Sequence, residues 1–175
     1  MTGVKAIADA LSVSSSMNKL NVLSNYIGTE GGQALVDAAP PQLQTFCGFE
    51  EGQTEANLSN KRLGPGDAVL LAWELTTGFV SASLTSIDLS KNDLGKDGAV
   101  ALGKALEVNA SITNLNLMSN KIGKDGAVAL AKTLEVNASL TSIDLSKNDL
   151  RKDGAVAVAN ALHVNASLTI LSLRN

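Results

Sequence analysis

Few residues of this 175-residue chain could carry covalent or metal chemistry. Cys47 is the sole thiol and His163 the sole imidazole. A nucleophilic thiol needs a base beside it, and nothing near Cys47 in the sequence offers one. Cys47 is therefore expected as a buried or loop thiol, and no internal disulfide can form. One histidine and one cysteine cannot assemble a zinc ligand set. Calcium held by oxygen ligands stays open, although no EF-hand spacing is present. The turn GKDG at 95–98 lacks the GxxxxGK[ST] spacing of a phosphate loop. These residues imply no catalytic site, no metal and no cofactor, hence a chain that is not an enzyme. His163 stands where Glu107 and Glu135 stand in related segments, near a helix end. A solvated imidazole is expected there, favoured by the helix dipole when protonated.

Four tripeptides match the N-glycosylation pattern: Asn57-Leu-Ser, Asn109-Ala-Ser, Asn137-Ala-Ser and Asn165-Ala-Ser. Three of them recur because a longer unit recurs, and no secretory signal precedes them, so a structural role is expected. The chain has 14 basic and 17 acidic residues, a net charge of −3. That balance leaves no footprint for nucleic acid and no polybasic patch for a membrane. The first apolar stretch, VKAIADALSV (4–13), is interrupted by Lys5 and Asp9, and no apolar run has the length of a membrane span. The sequence reads as cytoplasmic.

What positions these residues is a repeat. Leu84, Ile112, Leu140 and Leu168 are spaced 28 residues apart, and the segments 84–111 and 140–167 agree at 23 of 28 positions. Within a unit, Leu84, Ile87 and Leu89 alternate with polar residues, as in a strand with one buried face. Ala99, Leu102, Ala105 and Leu106 then fall on one face of a helix. Asp97 is placed to cap that helix, and Asn109 to end it in the left-handed conformation. Asn92, Asn120 and Asn148 follow the strands at a fixed offset, where a buried amide could satisfy loop backbone of its own and adjacent units. Small residues flanking the buried stripe, Ala101 and Gly103, then Ala129 and Ala131, let neighbouring helices approach closely.

The same frame extends toward the start. GVKAIADALSVSSSMNKLNV (3–22) aligns with GAVALGKALEVNASITNLNL (98–117), and RLGPGDAVLLAWEL (62–75) with DLGKDGAVALGKAL (93–106). Lys61 then takes an asparagine position. Extra residues fall around 43–56 and 76–81, as loops or as an added hairpin near Gly48 and Gly52. Strands are expected to start near 18, 56, 85, 113, 141 and 169, all parallel in one sheet. Helices are expected over about 3–11, 30–38, 66–75, 98–107, 126–135 and 154–163. Stacked strands lie about 4.8 Å apart and packed helices about 8–10 Å apart, so the stack must curve with helices outside.

The pattern LxxLxLxxNxL followed by GKDGAVALGKALEVNAS resembles the ribonuclease-inhibitor-type leucine-rich repeats. The resemblance implies an α/β, right-handed solenoid or horseshoe, with parallel strands on the concave face and helices on the convex face. It implies one domain over 1–175, irregular at 36–83 and regular at 84–175. It also implies that a partner binds the concave strand residues and adjoining loops. Here these are Ser86, Asp88, Ser90 and Lys91; Asn114, Asn116, Met118 and Ser119; and Ser142, Asp144, Ser146 and Lys147. That row has no aromatic residue and few binding anchors. A partner surface and a plain repeat surface stand side by side as its readings.

Such repeats serve many functions. The leading expectation is a scaffold for another protein, with no nucleic acid or membrane as partner. The alternatives are a GTPase activator of the Ran-specific type and a spacer array in a larger receptor or adaptor. Trp73, aligned with Lys104 and Lys132 on the outward helix face, is expected to pack under the insertion 76–81, with a partner anchor as the alternative. Val100, Val128 and Val156 point outward. The chain starts at a helix and stops in a strand without polar caps. This suggests a piece of a longer array, whose ends either fray or bury themselves through weak self-association.

Overall fold

The computed structural model describes residues 2–77 and 79–174. Helices α1 (Thr2–Ser12) and α2 (Thr29–Asp37) come first. Strand β1 (Glu55–Asn57) then begins a strict alternation: α3 (Pro65–Thr77), β2 (Ser86–Asp88), α4 (Gly95–Leu106), β3 (Asn114–Asn116), α5 (Gly123–Val136), β4 (Ser142–Asp144), α6 (Arg151–Leu162) and β5 (Ile170–Ser172). The five strands form one parallel sheet in sequence order. Register is one residue to one residue: Ala56, Ile87, Leu115, Ile143 and Leu171 line up across it. Strands line the concave face and helices the convex face. Among the described residues no helix is long and apolar enough to cross a membrane.

The alternation of apolar residues sets the buried face. Leu84, Ile87, Leu89, Leu94, Leu102 and Leu106 of one unit are all at most 2% exposed. Each such side chain stabilises the fold by about 1.5–3 kcal/mol through burial. The close helix spacing uses the small residues. A Cβ on Gly103 would stand 2.8 Å from Thr133 Oγ1 of the next helix.

Three local expectations are corrected. The segment 18–22 does not join the five-stranded sheet. It bridges the insertion instead, parallel at Lys19–Thr45 and antiparallel at Asn21–Cys47. Backbone bonds from Leu20 N to Thr45 O (2.9 Å) and from Val22 N to Phe46 O (3.1 Å) show why: the inserted chain occupies the edge that β1 would have used. Secondly, α4, α5 and α6 begin three residues before the expected 98, 126 and 154, so Asp97 lies in a first turn. No side-chain cap bond forms on Leu94, Ile122 or Leu150. Neighbouring repeats tie down two of these ends, since Gly95 N donates to Asn120 O and Gly123 N to Asn148 O, both at 2.9 Å. Thirdly, Asn109 is not in the left-handed region. It ends its helix through its side chain, as described below.

Candidate interaction surface

The concave row is set by the sheet register. Ser86, Asn114 and Ser142 stand side by side on adjacent strands, as do Asp88, Asn116 and Asp144. Adjacent strands are spaced about 4.8 Å, so each row is a regular ladder of polar groups. Asp88 Oδ1 and Asp144 Oδ1 each accept from the backbone two residues on, Ser90 N and Ser146 N, at 2.8 Å. Asn116 Oδ1 accepts from Met118 N at 3.0 Å. One oxygen of each is thus spent on shaping the loop. Ser90 and Ser146 are each only 4% exposed, so a partner would not reach their side chains. Met118 and Ser119 are half-buried, while Asn114, Lys91 and Lys147 are exposed.

Lys91, Ser119 and Lys147 share one backbone conformation, with φ of 58°, 58° and 56°. This left-handed turn follows each strand of the row and leaves Lys91 and Lys147 exposed. Nearby lysines are engaged: Lys121 pairs with Asp93 at 3.0 Å, Lys96 with Asp125 at 3.8 Å, and Lys124 with Asp153 at 3.9 Å. Among the described residues Lys91 and Lys147 make no ion pair, and neither do Asp88 and Asp144.

Buried amides hold these loops. Asn120 Nδ2 donates to Leu89 O of the preceding unit (2.8 Å) and to Leu117 O of its own (3.0 Å). Asn148 Nδ2 repeats the pattern on Leu117 O (2.8 Å) and Leu145 O (3.1 Å). Asn92 Oδ1 accepts from Lys61 N at 2.9 Å and Leu63 N at 3.0 Å. A second ladder runs behind the helices. Asn109 Nδ2 donates to Leu75 O (3.0 Å), Asn137 Nδ2 to Leu106 O (2.6 Å) and Asn165 Nδ2 to Leu134 O (2.7 Å). This is the reason for the recurring Asn-Ala-Ser. The amides of Asn109 and Asn137 are buried and bonded, which leaves no free nitrogen for a glycan in the folded chain.

The irregular part has its own polar centre, which sequence reasoning missed. Glu74 occupies the position that Ala105 holds in the regular repeat, and it is fully buried. Its Oε1 accepts from Thr45 Oγ1 (2.6 Å), Phe46 N (2.6 Å) and Cys47 N (3.0 Å), which pins the insertion onto α3. Its Oε2 is buried without a partner. Burial raises the Glu74 carboxyl above its ordinary range, against the opposing pull of the Thr45, Phe46 and Cys47 donors. Burial, then Glu74 itself, pushes the Cys47 thiol well up, as expected of an inert buried cysteine. Asp67, also buried, accepts from Ser24 N (2.9 Å) and Gly64 N (2.8 Å) and holds loops that Lys61 cannot. The signal was present in the sequence: Glu74 sits in the apolar stripe of an aligned helix, and Asp67 stands where the regular repeat has Gly98.

Trp73 packs under an insertion, but the covering residue is Phe46 from 43–56. The rings meet edge to face with centroids 4.9 Å apart. Its other side lines a convex cleft of about 450 Å³ together with Val36, Val69, Ala72 and Val100. His163 is exposed just past α6.

The sequence model described as Leucine Rich repeat matches residues 13–36, 80–103, 108–131 and 136–159. The chain belongs to this family. No curated protein matches the chain. Among solved structures, the tropomodulin C-terminal domain of Caenorhabditis elegans is similar at a TM-score of 0.51 and 18% identity, over 93% of this chain and 92% of that one. Leiomodin-1 Actin-Binding Site 2 is similar at a TM-score of 0.47 and 18% identity, over 92% of this chain and 88% of that one. At such identity the likeness concerns the fold.

Proposed function

We propose that this leucine-rich-repeat array is a scaffold that binds another protein on its concave face, through Ser86, Asp88, Lys91, Asn114, Asn116, Met118, Ser119, Ser142, Asp144 and Lys147. The carrying observation is charge left unsatisfied. Lys91 and Lys147 are exposed and unpaired among the described residues, while Lys96, Lys121 and Lys124 of the adjoining loops and helix starts are paired. A rigid row of alternating charge and amide fixes a partner's register more than it adds raw affinity. Met118 supplies an adaptable apolar contact at the centre of the row.

The test compares two triple variants in affinity capture from cell extract. Lys91→Glu with Asn114→Arg and Lys147→Glu alters the concave row. Lys104→Glu with Lys132→Glu and Lys152→Glu alters the helix side. The reading expects specific partners with wild-type and helix-side protein, and their loss with the concave variant. Capture insensitive to the concave variant would sink it. The same purified chain should leave GTP turnover by small GTPases unchanged, and acceleration would replace the scaffold with an activator.

A further inference from the structure

The strands run parallel, so the loops that leave them and the helix starts that follow all lie along one edge of the array. Residues 60–66, 91–97, 119–125 and 147–153 are four of these turns. They carry nine basic and five acidic side chains, a net of +4 in a chain of net −3. The rest of the chain is therefore acidic and this edge is basic. Ion pairs sharpen the difference. Asp93, Asp125, Asp149 and Asp153 are each held by a lysine or arginine of the same edge, and Asp97 is its one unpaired acid among the described residues. Lys61, Arg62, Lys91, Lys147 and Lys152 are exposed and make no ion pair among the described residues.

Two of these cations share a cleft with the chain's one tyrosine. Tyr26 is 73% exposed. With Arg62 and Lys91 it lines a cleft of about 470 Å³, to which Ile27 and Pro65 add apolar surface. The acid on this cleft, Asp93, is taken by Lys121 at 3.0 Å. An aromatic ring and two free cations thus face one space. Tyrosine and arginine are the side chains that most often carry binding energy once a partner covers them, and the concave row has neither.

We propose that this cleft anchors an acidic segment of a protein partner. Carboxylates of the segment meet Arg62 and Lys91, and the planar guanidinium can hold one of them with two hydrogen bonds. An apolar side chain of the segment covers Tyr26, and the chain continues along the basic edge toward Lys147. An acidic protein segment suits the edge better than a nucleic acid does. A phosphate backbone would carry uniform negative charge past Asp93, Asp97 and Asp149, and a single tyrosine offers no series of platforms for stacked bases. The inference rests on the reading that the array binds a protein. It adds the anchor that the concave row lacks and the charge of the partner.

The probe is a short synthetic peptide of glutamates around one phenylalanine, labelled with fluorescein and titrated with the full chain in an anisotropy assay. Saturable binding is expected at low salt, and it should weaken as salt rises. Tyr26→Ala should weaken it about fivefold or more, and Arg62→Glu with Lys91→Glu about thirtyfold or more. The three positions are exposed, so melting temperatures should stay where they are. Lys104→Glu with Lys132→Glu makes the same change in net charge on the helix side and should have little effect. Asn114→Arg, on the concave row but outside the cleft, should leave peptide binding unchanged, so a failure here is distinct from a failure of capture by the concave face. Three results would overturn the proposal: no saturable binding, an equal loss in the helix-side variant, or a single-stranded DNA oligonucleotide that binds more tightly and is lost in the same cleft variants.

Discussion

Replacing Asn120 with alanine tests the ladder that holds the concave row. Asn120 is fully buried. The change removes bonds to Leu89 O at 2.8 Å and Leu117 O at 3.0 Å, and weaker ones to Met118 O at 3.3 Å and from Leu94 N at 3.4 Å. The two carbonyls of leucine keep one amide partner each, from Asn92 and Asn148. Leu94 N–H keeps none. At about 1 kcal/mol net per good bond, plus about 1 kcal/mol for the orphaned buried donor, the loss is about 3 kcal/mol. With a urea slope of about 2 kcal/mol/M, the unfolding midpoint should fall by about 1.5 M. Asn25→Ala is the internal control. Asn25 is exposed, and its amide serves only Val22 O and Leu23 O of its own unit, so the loss should be about 0.5 kcal/mol. Equal midpoints for Asn120→Ala and wild type would mean that water replaces the amide, and the ladder argument would fail.

Other outcomes follow from single positions. Arg151 has φ 55° where the other repeats have Gly95 and Gly123, so Arg151→Gly should raise stability by about 1 kcal/mol and Gly123→Ala lower it by a similar amount, read by urea melts. Gly66→Ala should cost about 3 kcal/mol or more, because its Cβ would strike the Ile27 carbonyl and stand 2.5 Å from Gly28 O, both rigid backbone. The raised Glu74 carboxyl makes the folded state bind its proton more tightly than the unfolded one. Its contribution is present at low pH and is lost as pH rises from the ordinary value of 4.5 through the higher folded value. Melting temperature against pH should therefore decline less steeply across that window in Glu74→Gln, and Asp67, raised by burial in the same direction, should account for part of the remainder.

The regular repeats were legible because each local signal agrees with the others. Period-two leucines, the helical alanine–leucine stripe and the asparagine after each strand all recur at 28 residues, and β2 to β5 lie within one or two residues of the frame read from them. Loop conformation was less legible. The left-handed turn at Lys91, Ser119 and Lys147 carries no glycine, so no residue type announced it. Ser90 and Ser146 looked like surface residues by alternation, but the turn after the strand rotates them inward. The stretch 43–56 was opaque because its anchor lies far along the chain: Glu74 reaches back 27 to 29 residues to three donors, a contact that periodicity cannot encode. The charged residue in an apolar stripe was the available sign.

The concave face as the binding surface is tested most directly by site-specific photo-crosslinking in cell extract. A photoreactive side chain at Asn114, exposed on β3, is compared with one at Lys132, exposed on α5. The account predicts discrete cross-linked proteins from position 114, competed by unlabelled wild-type chain, and none from position 132. Cross-links from position 132 alone, or equal sets from both positions, would contradict it.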